Sequence, residues 1–210
     1  MPTLDDISSY RIQPNPSDPR LSRVITGVDQ HGQPTKTSVI EERPLTIYLN
    51  AQEIVTAMTI GDYPEYLAVG FLKNQGMLKP DDVIEMVEYD EELDVVVVRT
   101  ERESNYEEKL SKKTRTSGCA VGTVFGDMME GVDQVSLAAT PVHTSWIYRL
   151  SHLINRTPSL YLETGAIHGT VLCEKDQPLI YMEDVGRHNA VDKISGWMHL
   201  EQVTPDHKIM

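Results

Sequence analysis

The chain has 210 residues with 19 basic and 32 acidic side chains, a formal net charge of −13, and 40% hydrophobic and 24% charged residues. This is a globular composition with enough apolar material for a core, in one medium domain or two small interlocked ones, and its acidic excess sets it against a nucleic-acid partner. No apolar run approaches the roughly 18 residues of a membrane helix, and no basic segment followed by an apolar one marks a secretory signal.

Met1–Arg20 is polar, carries Pro2, Pro14, Pro16 and Pro19, and reads as a disordered lead-in. Val24–Val28 and Thr37–Glu41 alternate weakly about a His31-Gly32 turn. Leu45–Leu49 and Ile54–Met58 predict a hairpin around Asn50. A helix is expected from Asp62, with Asp62 and Glu65 at capping-box spacing, Gly76 at its stop, and Tyr63, Leu67, Gly70 and Phe71 on one face. Ile84–Tyr89 and Leu93–Arg99 form a second hairpin, in which Val95–Val98 suits a strand buried on both faces. Glu101–Thr114 reads as an exposed polar connection and Phe125–Val132 as a short helix. Thr144–Asn155 is a helix with Trp146, Leu150, Leu153 and Ile154 on one stripe. Ile167–Cys173 and Leu179–Glu183 are strands, Asn189 is the expected N-cap of a helix running to about Leu200, and His207–Met210 resembles the first residues of a further strand.

Two segments carry chemistry. Cys119 stands in Thr116-Ser117-Gly118-Cys119-Ala120-Val121-Gly122, between glycines that free the backbone and after Lys112, Lys113 and Arg115, cations that favour a thiolate. The residues alone leave two readings open: an inert cysteine in a glycine turn, or a mobile reactive thiol of the kind a sulfur carrier needs. The other cysteine, Cys173, follows Val171-Leu172 in a predicted strand and reads as a buried structural thiol. The two are not spaced for a metal or a disulfide framework, and free thiols suit a cytoplasmic protein.

The second segment is Glu183-Asp184-Val185-Gly186-Arg187-His188-Asn189, where a strand meets a helix. Free N–H groups and the helix dipole there favour an anion, Gly186 allows close approach, Arg187 can fork onto a phosphate or carboxylate, and His188 can donate or exchange a proton. Asp192 and Lys193 share the face of Asn189. His168, beside Gly165 and Gly169 on the preceding strand, adds a second histidine to a candidate ligand pocket. The alternative is an ordinary capped helix with a solvated charge cluster.

The run EDVGRHNAVDK at Glu183–Lys193 resembles the FdhD family of formate dehydrogenase accessory sulfurtransferases. RPLTIYLNAQEIV at Arg43–Val55, LAVGFLKNQGML at Leu67–Leu78, TSGCAVG at Thr116–Gly122 and TGAIHGTVLC at Thr164–Cys173 resemble further parts of it, so that the likeness covers roughly Glu41 to Lys208. The resemblance implies a mixed α/β (α+β) protein in four parts: a lead-in (1–20), a smaller β-rich N-terminal part with one helix (21–115), a sulfur-carrier loop (116–122) and a cytidine-deaminase-like core (123–210). It implies a homodimeric sulfurtransferase that takes persulfide sulfur on Cys119 from a cysteine desulfurase. The sulfur then passes to the molybdenum bis(guanine dinucleotide) cofactor of formate dehydrogenase. The resemblance further implies that this cofactor is a bound substrate near His168, Gly186, Arg187 and His188, with no metal held by side chains. Two departures stand out. Gly122 occupies the place of a second loop cysteine found in many members, so no local disulfide can expel the sulfur. Members also continue beyond Met210 with a glycine–arginine segment, so the core is expected to be C-terminally truncated. The same features admit a non-catalytic cofactor chaperone, or an inactive or split fragment. A zinc-dependent deaminase would need H-x-E and P-C-x-x-C; His168-Gly169-Thr170 is not the first, and the second does not occur.

Overall fold

Alternation in Arg43–Leu49 (β3) buries Leu45, Ile47 and Leu49 and leaves the residues between them partly exposed. This strand is central in the larger sheet of a computed structural model that describes residues 10–79, 81–102 and 140–210, together with strands 113–116 and 122–125. It pairs antiparallel with Gln52–Thr59 (β4) through the Asn50 turn, where φ is 54°. It pairs parallel with Val95–Thr100 (β6), which forms a hairpin with Ile84–Asp90 (β5), giving the order β4-β3-β6-β5. Ser22–Val28 (β1) and Pro34–Ile40 (β2) make a separate hairpin. Val96 and Val98 are fully buried, whereas Val95 and Val97 are only half-buried. The four-valine run therefore packs mainly on one face, rather than on both as expected, because helices cover one side of this sheet.

The helix after β4 is Pro64–Asn74 (α1). The expected capping box does not form: the N-cap is Tyr63 in the left-handed region (φ 49°), Pro64 opens the helix, and no side chain caps it. Asp62 turns inward to Lys193 instead. The helix is also buried more widely than one stripe, with Leu67, Ala68, Val69, Gly70, Phe71 and Leu72 all inside. It lies between the larger sheet and Arg187–Leu200 (α4). Helix α4 in turn packs on His168–Glu174 (β9) and Gln177–Asp184 (β10), which with Lys208–Ile209 (β11) form a sheet of order β10-β9-β11. Among the described residues three apolar clusters are buried. One joins α1 to the four-stranded sheet; the second joins α4, through Ile194 and Trp197, to Leu172, Ile180 and Met182; a smaller third gathers Leu21, Ile60, Leu160 and Ile167. The architecture is a mixed α/β one with open sheets and a β-rich N-terminal region.

Between these parts lie Lys113–Thr116 (β7) and Gly122–Phe125 (β8), an antiparallel pair. Strand β7 starts inside the stretch expected to be a connection, and Phe125 ends a strand where a helix was expected; residues 126–132 of that expectation lie outside the described residues. The helix Thr144–Ile154 (α2) buries Leu150 and Leu153 on the expected stripe. A short helix, Leu160–Thr164 (α3), follows that the sequence patterning did not reveal.

The disordered lead-in is corrected for its described part. Arg11 donates its N–H to Leu179 O at 2.8 Å, Tyr181 N–H donates to Ile12 O at 2.9 Å, and Ile12 packs on the second core. These residues run along the outer edge of β10 and satisfy backbone groups that would otherwise be open. Among the described residues no helix is long and apolar enough to cross a membrane.

Candidate functional site

The β9–β10 hairpin brings two of the sequence-predicted elements to one end. In its antiparallel register His168 lies opposite Asp184, and Gly169 opposite Glu183. His168, at the start of β9, thus neighbours the turn that leaves β10 and enters α4. His168, Arg187 and His188 are exposed there and Gly186 is partly exposed.

Beneath this surface is a buried polar network. Asp184, fully buried, uses all its acceptor capacity. Its Oδ1 accepts from Gly186 N–H at 3.0 Å and from the Asn189 amide at 2.9 Å. Its Oδ2 accepts from the Thr59 hydroxyl at 2.5 Å and pairs with Lys193 Nζ at 2.6 Å. Lys193, also fully buried, reaches Asp62 Oδ1 at 2.5 Å and Glu183 O at 3.0 Å. The Asn189 amide donates a second bond, to Met58 O at 2.8 Å. The Glu183 carboxylate accepts from the Leu160 and Tyr161 N–H groups at 2.8 and 3.0 Å, and so caps α3. Asn74 donates to Asp192 Oδ1 at 2.6 Å and accepts from the Ser195 hydroxyl at 3.0 Å, tying α1 to α4.

Charge balance follows from this geometry. Burial opposes the charged form of Lys193, but Asp62 and Asp184 together outweigh it and hold its pKa above the ordinary value. Burial raises the Asp62 carboxyl against the pull of Lys193. Burial, moderated by the Asn74 hydrogen bond, pushes Asp192 up to about 6. Burial likewise raises Glu183, against the two N–H groups it caps.

Two sequence-based expectations change. Asn189 is not the N-cap; Gly186 is, and the helix starts at Arg187, with Asn189 turned inward. Gly186 is a glycine for an internal reason as well: a Cβ there would sit 3.0 Å from the Asn189 amide, so its open side accommodates this chain's own side chain. The face shared by Asn189, Asp192 and Lys193 is buried, and its charges are a core network rather than a solvated cluster. A groove of about 470 Å³, lined by Asp18, Arg20, Asp62, Tyr63, Glu65 and Tyr89 among others, contains none of His168, Gly186, Arg187 and His188. Patterning missed Thr59 and Asp62 as partners of the motif; the only signal available was the i, i+3, i+4 spacing of Asn189, Asp192 and Lys193.

The two cysteines separate. Cys173 is 3% exposed, and burial pushes its thiol up to about 11, as expected of a structural residue. Cys119 lies outside the described residues, between β7 and β8, whose register pairs Thr116 with Gly122. Among the described residues no group of three or more His, Cys, Asp or Glu side chains is arranged to hold a metal ion.

The fold has a counterpart among solved structures. A crystal structure from Desulfotalea psychrophila, of a protein assigned as a formate dehydrogenase accessory protein, superposes with a TM-score of 0.67 at 22% identity, covering 90% of this chain and 71% of the other. Residues 40–210 match the model of the FdhD/NarQ family, and the chain belongs to that family. It is similar to the sulfur carrier protein FdhD of Bacillus pumilus, 28% identical over 179 residues, covering 82% of this chain and 66% of the relative. It is also similar to the sulfur carrier protein FdhD of Wolinella succinogenes, 30% identical over 175 residues, covering 82% and 60%. The chain thus spans somewhat under two thirds of the length of these relatives.

Proposed function

We propose that this protein is a sulfur carrier that holds sulfur as a persulfide on Cys119 and delivers it to a molybdenum bis(guanine dinucleotide) cofactor needed by formate dehydrogenase. One observation carries the choice of residue. The chain has two cysteines, and Cys173 is buried with its thiol pushed up to about 11, too little ionised at neutral pH to act as a nucleophile. Cys119 is the remaining thiol, in a glycine-flanked segment that follows Lys113 and Arg115.

In the loading step the Cys119 thiolate attacks the outer sulfur of a persulfide on a cysteine desulfurase. A new S–S bond forms on Cys119, the donor S–S bond breaks, and the donor cysteine leaves as a thiolate. In delivery the Cys119–sulfur bond breaks. The outer sulfur takes up two electrons as it becomes sulfide on the metal, supplied by the reduced acceptor or an external thiol, and Cys119 is released as a thiolate. With Gly122 where a second cysteine would close a disulfide, an external source of those electrons is required. His168, Gly186, Arg187 and His188 would hold the anionic part of the cofactor; the shared end of β9 and β10 and the exposure of Arg187 and His188 support this. The remaining expectations are proposals of the same kind. These are a cytoplasmic homodimer that binds no nucleic acid, the division into lead-in, β-rich part, carrier loop and core, and a cytidine-deaminase-like relationship of the β10-β9-β11 sheet with α4.

Incubation with a cysteine desulfurase and free cysteine, followed by non-reducing peptide mass spectrometry, tests the reading. One added sulfur is expected on the peptide bearing Cys119 and none in Cys119→Ala. An unmodified Cys119 in folded protein would replace the carrier with a non-catalytic scaffold.

A further inference from the structure

The turn at 186–188 is held from inside the molecule, beneath the side chains that would meet a ligand. Arg187 and His188 are exposed, and the helix has no N-cap side-chain bond at Gly186. The conformation is set from below. One oxygen of Asp184 fastens Gly186 N–H and the Asn189 amide, which lie on either side of Arg187 and His188. The other oxygen is fastened by Thr59 and Lys193. Thr59 ends β4 in the other sheet, 125 residues away in sequence, and Lys193 carries the tie on to Asp62 ahead of α1. Asn189 adds its own bond to Met58 O of β4. A buried carboxylate with four donors is a rigid anchor, because any change of rotamer breaks charge-assisted hydrogen bonds where no water replaces them.

We infer that Asp184 is the positioning residue of the turn: through Thr59 it locks Gly186–His188 to β4, so that Arg187 and His188 present their donors to the same phosphate-bearing ligand as His168. This rests on the reading of the turn as the cofactor-binding element. Asp184 touches no ligand itself; it orients the groups that do, in the way that supporting residues fix a binding constellation. It also places a negative charge beneath an anion-binding turn. Lys193 offsets that charge directly.

Asp184→Asn sets an amide N–H against Thr59 or Lys193 and risks misfolding, so the decisive variants are at Thr59, which is 1% exposed. Thr59→Val removes one donor to Asp184 at nearly constant volume; Thr59→Ser keeps it. Titration calorimetry on the full chain with guanosine diphosphate as the probe, well below each variant's melting temperature, is paired with amide NMR of Gly186, Arg187 and His188. Wild type and Thr59→Ser are expected to bind alike. Thr59→Val is expected to bind about threefold to tenfold more weakly, the range of one hydrogen bond, with those three amide signals displaced; Arg187→Ala should also weaken binding. Thr59→Val binding as tightly as wild type would overturn the positioning role and leave the cofactor reading standing. Full binding by Arg187→Ala, or none by wild type, would overturn the cofactor reading and the positioning role together.

Discussion

Gly70 of α1 and Gly196 of α4 face each other where the two helices cross: a Cβ placed on Gly196 would lie 1.9 Å from Tyr66 O and 2.8 Å from Gly70 N. A Cβ on Gly70 would lie 1.7 Å from Asp192 O. Both approaches are to backbone, which cannot swing aside as a flexible side chain can. The contact joins the two halves of the molecule, since each helix is the main apolar partner of a different sheet. Gly196→Ala should therefore force the helices apart at a cost of about 3 kcal/mol, at the upper end for overpacking. For a chain of this size that lowers Tm by roughly 6–12 °C. Thermal unfolding followed by circular dichroism measures it; an unchanged Tm would mean that the helices do not approach so closely.

Asp192 makes stability depend on pH. Its folded pKa stands near 6, above the ordinary 3.8, so the folded state holds this proton more tightly than the unfolded chain. Its contribution is complete below about pH 4 and is lost as pH rises through about 6. Asp192→Asn stays neutral and keeps an oxygen for Asn74. Urea denaturation should find it more stable than wild type at about pH 7.5 by about 1–3 kcal/mol, with no gain near pH 4. Equal stability of the two proteins at both pH values would sink the assignment.

Lys193 behaves oppositely. Its amine pairs with both Asp62 and Asp184, so Lys193→Met leaves two carboxylates facing each other in the interior. Breaking a buried pair on one side costs about 3–5 kcal/mol. The loss should be largest at neutral pH and should shrink in acid, because burial already raises the Asp62 carboxyl and its protonation relieves the repulsion. Chemical denaturation across pH shows whether the penalty follows that course.

The Cys173 thiol, at a pKa of about 11, is a thiolate in only about 0.1% of molecules near pH 8. Iodoacetamide should leave it unmodified in the native protein and alkylate it in urea, as read by peptide mass spectrometry. Rapid native alkylation of Cys173 would remove the ground for assigning the carrier role to Cys119.

Local patterning was enough for the hairpins. The β3–β4 pair follows from alternation around Asn50, which takes the positive φ that its turn requires, and the β5–β6 and β9–β10 pairs lie where their apolar runs predict. The family was also legible, because EDVGRHNAVDK is long. Its inner chemistry was not. Nothing in that run distinguishes exposed Arg187 and His188 from buried Asp184, Asn189 and Lys193, since all are polar and sit at helix or turn spacings.

The sequence by itself determined the strand pairings between neighbours, the buried strand position of Cys173 and membership of the FdhD/NarQ family. Only the tertiary structure decided which half of the motif faces inward, that Gly186 packs closely on the Asn189 side chain, and that Asp62 serves Lys193 rather than capping its own helix. The physical reason is distance along the chain. The partners that bury those charges, Thr59 and Asp62, lie 125 and 131 residues from Asp184 and Lys193, and periodicity, which reads only near neighbours, carries no signal over such a span.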